Sequence, residues 1–160
     1  MAELLKPLYV DRRGELTADG LPNNQQPVFS WHEGELSALY APHYIRSAPR
    51  LVGVPPLTRN QIAALDAFDA LADNPRLNII FNLEAGDILF VHNHTVMHDR
   101  MAYEDWGEGE GRRHLLRLWL AVPGARPLPD HYKDRFGSVT LGDRGGIRVP
   151  KARSGRCPEP

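Results

Sequence analysis

Residues 86–119 read GDILFVHNHTVMHDRMAYEDWGEGEGRRHLLRLW. The short apolar run 88–91 has the length and composition of a buried strand. A polar stretch with histidines at 92, 94 and 98 follows, then a Gly/Glu-rich loop at 104–111. Residues 114–122 form the most apolar run, closed by Pro123-Gly124. Neutral imidazole is a common ligand for iron and zinc, so the three histidines are candidate metal ligands. In an extended strand His92 and His94 share a face, with His98 beyond a bend. By spacing alone, the three together could bind zinc, or they could be polar loop residues or supporting donors.

Extended geometry also puts Arg113, Leu115, Arg117 and Trp119 on one side of the last strand, and His114, Leu116, Leu118 and Leu120 on the other. A strand apolar on both faces is expected in an interior, where a guanidinium requires an anionic partner. That partner is either a protein carboxylate, such as Asp87 or Glu104, or a ligand carboxylate gripped by the arginine fork. The order histidine, loop, arginine, arginine suits an organic acid that chelates a metal at one end and is clamped at the other. Tyr103 and Trp106, in the intervening loop, are read as packing residues.

Outward from this stretch, residues 77–83 read as a strand and 84–87 as a turn. The clearest helix is expected at 58–73. Thr58 with Gln61 makes a capping box, Ile62, Leu65, Phe68 and Leu71 make an apolar stripe, and Asn74-Pro75 stops it. Strands at 27–30 and 36–40 around a turn at 32–34 make a plausible hairpin. Residues 43–56 look irregular and Pro-rich, and turn signals stand at 11–14 and 20–24. The expected division is a domain over 1–137 and a basic, glycine-rich, poorly ordered tail over 138–160.

A length of 160 residues supports one modest core. The 42% hydrophobic and 24% charged content is ordinary for a soluble domain. A net charge of −1 gives no general attraction to nucleic acid or an anionic membrane. The single cysteine, Cys157, excludes a disulfide framework or a cysteine zinc site. The first residues lack the pattern of a secretory signal, and no run is long enough to span a bilayer. The expectation is therefore a cytoplasmic protein acting on a small molecule, with no nucleic-acid or membrane partner.

The segment NHTVMHDRMAY at 93–103 and the strand RRHLLRLWL at 112–120 resemble the C-terminal motif of the taurine/2-oxoglutarate dioxygenase (TauD/TfdA) family. The resemblance covers roughly 11–137 and is specific between 86 and 123. It implies a mostly β fold with one or two helices (α+β), the C-terminal part of a double-stranded β-helix, a jelly roll of clavaminate-synthase type. It implies Fe(II) as metal and 2-oxoglutarate as co-substrate. The implied reaction is oxidative decarboxylation of 2-oxoglutarate coupled to hydroxylation of a small organic substrate. By the same match His98 is the distal iron ligand and Arg113 pairs with the distal carboxylate of 2-oxoglutarate. Arg117 is a second arginine, facing the metal and helping to bind the co-substrate or an acidic substrate group. The 104–111 loop is longer than in the taurine enzyme.

The family's other two ligands come from a His-x-Asp/Glu motif upstream. None of the seven histidines here has an acid two residues on. The expectation is a truncated member offering one ligand of three, weakly active or inactive alone. Unpaired strand edges should make it marginally stable, so that it associates with a second copy or a complementing N-terminal chain. The competing readings are a cupin-like zinc or iron protein using His92, His94 and His98, and an inactive remnant that still binds a carboxylate.

Overall fold

The computed structural model describes residues 1–14, 21–102 and 114–144. Arg113, Tyr103, Trp106, the 104–111 loop and residues 145–160 of the tail lie outside the described residues. Two antiparallel hairpins and a long helix make the ordered framework. Strand β1 (Leu8–Asp11) pairs with β2 (Asn23–Gln26), and β3 (Phe29–His32) pairs with β4 (Glu35–Ala38). Helix α1 (Pro42–Ser47) follows, then α2 (Arg59–Ala72) and the short α3 (Lys133–Phe136). Single 3-10 turns lie at Ala2–Leu5, Ala48–Arg50 and Asp130–Tyr132. The fold is thus mixed α and β. Among the described residues no helix is long and apolar enough to cross a membrane.

The β3–β4 hairpin is where the sequence places it. Its two turn residues, Glu33 and Gly34, have φ of 49° and 81°. Two consecutive left-handed residues match the right-handed twist of the flanking strands, and glycine takes the second position without steric penalty. Helix α2 also begins as expected. The Thr58 hydroxyl accepts from Gln61 N at 3.2 Å, and Gln61 Oε1 accepts from Thr58 N at 2.8 Å. Removing the first of these bonds strands a helix-end donor. Thr58→Ala is therefore expected to cost about 1 kcal/mol of stability, read as a lower urea midpoint with unchanged slope.

The apolar stripe of α2 is only half used. Leu65 is fully buried and Phe68 packs edge-on against Phe29 (5.3 Å) and Tyr40 (4.7 Å). Ile62 and Leu71, at the ends of the stripe, are exposed. Leu65 joins Leu4, Leu8, Val10, Val28 and Ile45 in the main core. A second, smaller core holds Leu128, Tyr132 and Phe136, with Leu39 and Val139 against it.

Several expectations are corrected. Within 43–56, read as irregular, residues 43–47 are helical: the helix starts at Pro42, whose fixed φ helps in the first turn and whose missing N–H costs nothing there. Arg46 then ties α1 to α2, donating to Asp66 (2.7 Å) and Asp69 (2.8 Å). The Tyr40 hydroxyl donates to the same Asp69, and burial followed by that carboxylate pushes the phenol's pKa up. The strands read at 77–83, 88–91 and 114–122 form no ladder among the described residues. Their side chains point into solvent: Ile79 is 88% exposed, Phe90 79% and Leu116 87%. Strands buried on both faces need neighbours on both edges and a layer above and below. The described residues provide none of these for the three runs.

Candidate functional site

The histidine-bearing segment is shaped by two tight turns. Glu84 N donates to Asp87 Oδ2 (2.8 Å) and Asp87 N donates to Glu84 O (3.1 Å). Asp87 therefore caps its own turn. Eight residues on, the His92 carbonyl accepts from Thr95 N (3.0 Å), Val96 N (3.1 Å) and Thr95 Oγ1 (3.1 Å). His92 and His94 thus belong to a turn, not to one face of a strand as expected. A turn that satisfies three donors on one carbonyl breaks the alternation on which the strand reading depends.

The turn separates the three histidines by role. The His94 carbonyl accepts from Ala38 N at 2.8 Å, docking the segment on the free edge of β4. The His94 ring stands edge-on to Tyr132 (5.5 Å) and Phe136 (5.6 Å), whose own rings are stacked 5.9 Å apart. Burial, then the positive field of Arg144 and other nearby basic groups, lowers the imidazole pKa to about 4. His94 is therefore a neutral packing residue at ordinary pH. His92 lies 6.5 Å from it between ring centroids, on the exposed side, and His98 is exposed farther along. Among the described residues no three His, Cys, Asp or Glu side chains come together as a metal site. The structure does not bring the zinc triad of His92, His94 and His98 together.

Arg117 is exposed on the unpaired run 114–120 and has no ion-pair partner among the described residues. His98 and Arg117 are thus both presented to solvent, with the exposed apolar side chains of 77–90 and 114–122.

A polar centre that sequence reading missed lies at the other end of the chain. Asp11, at the end of β1, is buried, yet it accepts from Arg50 Nε (2.7 Å), Ser47 Oγ (2.9 Å) and Arg13 N (2.8 Å). Arg13 has a φ of 47°, and its guanidinium lies over the Tyr44 ring, 4.8 Å from the centroid. Arg13, Ser47 and Arg50 line a shallow open depression of about 370 Å³. The turn signal at 11–14 was the only trace of this centre, because its partners lie 36 and 39 residues away. With Arg50, Ser47 Oγ and Arg13 N all donating to Asp11, the cluster works as a clasp between β1 and the end of α1.

The Arg50 bond is the largest influence on Asp11 and burial opposes it; the carboxyl ends at a pKa of about 2, against 3.8 for a free group. A depressed folded-state pKa stabilises the fold fully above about pH 4, and that contribution drains away as the pH falls toward 2. The expected amount is on the order of 1–2 kcal/mol, discounted because the Arg50 side chain is largely in water. Asp11→Asn should flatten the loss of stability between pH 4 and 2, measured by urea unfolding across that range. An unchanged slope would mean that the clasp is not the acid-sensitive element.

The family description "Taurine catabolism dioxygenase TauD, TfdA family" matches residues 9–119, from β1 through His98 and Arg117 to Trp119. The chain belongs to the TauD/TfdA dioxygenase family. It is 32% identical over 125 residues to FR-33289 synthase of Streptomyces rubellomurinus, a match covering 76% of this chain and 37% of that relative. This TauD/TfdA chain therefore aligns with little more than a third of the synthase's length. The family match spans the hairpin-and-helix framework and the exposed runs as far as Trp119, so these belong to the family region.

Proposed function

We propose that the chain is the C-terminal part of an Fe(II)/2-oxoglutarate-dependent dioxygenase of jelly-roll fold, whose site is completed by residues outside these 160. The observation that carries the reading is the family match over 9–119, a stretch that holds His98, Arg113 and Arg117. In this reading His98 supplies one imidazole to the iron. Arg113 holds the distal carboxylate of 2-oxoglutarate through a two-bond fork. Arg117 takes a second carboxylate, from the co-substrate or from an acidic small-molecule substrate. When bound, iron with 2-oxoglutarate supplies the oxidising chemistry; the protein's part is to orient and shield the reactants.

The donor set of this chain alone does not fit the metal. One histidine of the expected ligand set is present, no His-x-Asp/Glu occurs, and no group of three ligands assembles among the described residues. In this reading two further ligands come from residues outside these 160. The exposed apolar side chains at 77–90 and 114–122 are consistent with the same need, since they are the surfaces that further strands would cover.

The test is reconstitution. The 160-residue chain is co-expressed with a candidate upstream segment bearing a His-x-Asp motif, and succinate release from 2-oxoglutarate is followed with and without Fe(II). Iron-dependent release by the pair and none by the single chain is the expected result. Robust iron-dependent release by the single chain would overturn the incomplete-site reading. Binding of 2-oxoglutarate by the pair without any release would favour an inactive carboxylate-binding remnant.

A further inference from the structure

Beyond Trp119, where the family match ends, residues 126–136 run back over both hairpins as a strap. Arg126 Nη1 donates to Leu36 O (2.7 Å) and pairs with Glu35 (2.6 Å), both on β4. His131 Nε2 meets Ser30 Oγ on β3 at 3.0 Å. Farther on, Asp134 O accepts from Arg12 Nη1 (3.4 Å), just past the end of β1. The strap is thus fastened to β4, to β3 and beside β1, independently of the exposed apolar runs. What it carries is the stacked pair of Tyr132 and Phe136, both buried, with Leu39 and Val139 packed against them.

The turn that leads to His98 is held by this strap on one side and by β4 on the other. The His94 ring stands edge-on to both rings of the stack, and its carbonyl accepts from Ala38 N (2.8 Å). Ala38 N and Leu36 O both point away from β3, so strap and turn dock side by side on one strand edge. Edge-on ring contacts contribute beyond the area they bury. The three bonds to the His92 carbonyl make 92–96 one tight unit. His98 lies two residues past Val96, a reach of at most about 7 Å, so seating the turn restricts where its imidazole can go. We infer that the 126–136 strap sets the position of His98, with His94 as the positioning residue through which it acts. The inference rests on the reading of His98 as an iron ligand, and it gives a role to residues beyond the family match. Groups that orient a metal ligand without touching the metal typically change affinity by about 10–100-fold.

The experiment uses the full 160-residue chain, isotopically labelled, in two NMR measurements. Hydrogen exchange at Ala38 N–H reports whether the turn is seated on β4, with the α2 amides as the measure of the whole fold. The order parameter of the His98 amide reports whether seating the turn also fixes His98. In the parent chain that amide is expected to be as ordered as those of Thr95 and Val96. His94→Ala should speed Ala38 exchange at least about tenfold relative to α2, and lower the His98 order parameter below about 0.6. Phe136→Leu, on the strap, should do the same more weakly. His94→Phe keeps a ring against the stack and should leave both readouts near the parent. If His94→Ala fails to fold, Phe136→Leu and His94→Phe still decide. Faster Ala38 exchange with unchanged His98 order would mean that His94 only packs, and would overturn the inference. A His98 amide already flexible in the parent, or His94→Phe behaving like His94→Ala, would overturn it too. In the reconstituted enzyme, Phe136→Leu should raise the Fe(II) dissociation constant about tenfold. Iron affinity lost in His98→Ala but kept in Phe136→Leu would sink the strap's role alone. Iron affinity indifferent to His98→Ala would sink the dioxygenase reading, and the positioning role with it.

Discussion

Leu65→Ala is expected to destabilise the chain by about 3 kcal/mol, within the range found for large-to-small substitutions in well-packed cores. Leu65 has no exposed surface and stands where the amphipathic face of α2 meets the two hairpins and α1. Its neighbours cannot close over the gap cheaply. Phe68 is already fixed edge-on between Phe29 and Tyr40, and Tyr40 is held by its bond to Asp69. Among the described residues the other core is the small Leu128–Tyr132–Phe136 cluster, so little stability is held in reserve. The expected observation is loss of the cooperative transition in urea at room temperature. Ile62→Ala, on the same helix but exposed, is the matched control and should change the midpoint little. A Leu65→Ala variant with a nearly unchanged midpoint would mean that the hairpin-and-helix framework does not carry the fold.

The second large effect concerns His98. On the proposed reading, His98→Ala in a reconstituted enzyme removes one of the few protein ligands to iron. Loss of a supporting residue around a metal typically costs 10–100-fold, and loss of a ligand itself should exceed about 100-fold in turnover. His92→Ala is the informative companion. His92 is exposed and placed on a turn, so its loss should leave turnover within a few-fold of the parent. Equal losses from His92→Ala and His98→Ala, with zinc co-purifying, would restore the three-histidine reading that the described geometry does not favour. His94→Ala is expected to act through packing, because it removes an aromatic contact to Tyr132 and Phe136.

What was legible in the sequence follows from how local each signal is. The α2 start is encoded within four residues, Thr58 to Gln61, and the β3–β4 turn within Glu33-Gly34, so both were readable. Strand β2 is NNQQ, a composition that reads as a turn; it is held by pairing with β1 and by burial of Asn24 and Gln26, which only tertiary context supplies. The apolar runs at 77–83, 88–91 and 114–122 carry a strand-like composition, but a strand is defined by its neighbour, and composition cannot say whether the neighbour is present. In the site, the histidine–arginine order pointed to a family by likeness, and the family match bears out the family. The packing of His94 on Tyr132 and Phe136 was not legible, because those partners lie about forty residues downstream on a short helical stretch with no strong periodicity.

The central claim is that this chain carries part, and only part, of an iron/2-oxoglutarate site. The most direct measurement is an anaerobic titration with Fe(II) and 2-oxoglutarate, watching for the visible charge-transfer band of the chelate. It is made on the chain alone and on the chain with its complementing segment. The account predicts no band for the chain alone. With the segment present it predicts a band that both His98→Ala and Arg113→Ala abolish. A full-strength band from the single chain, or one in the pair indifferent to His98→Ala, would contradict it.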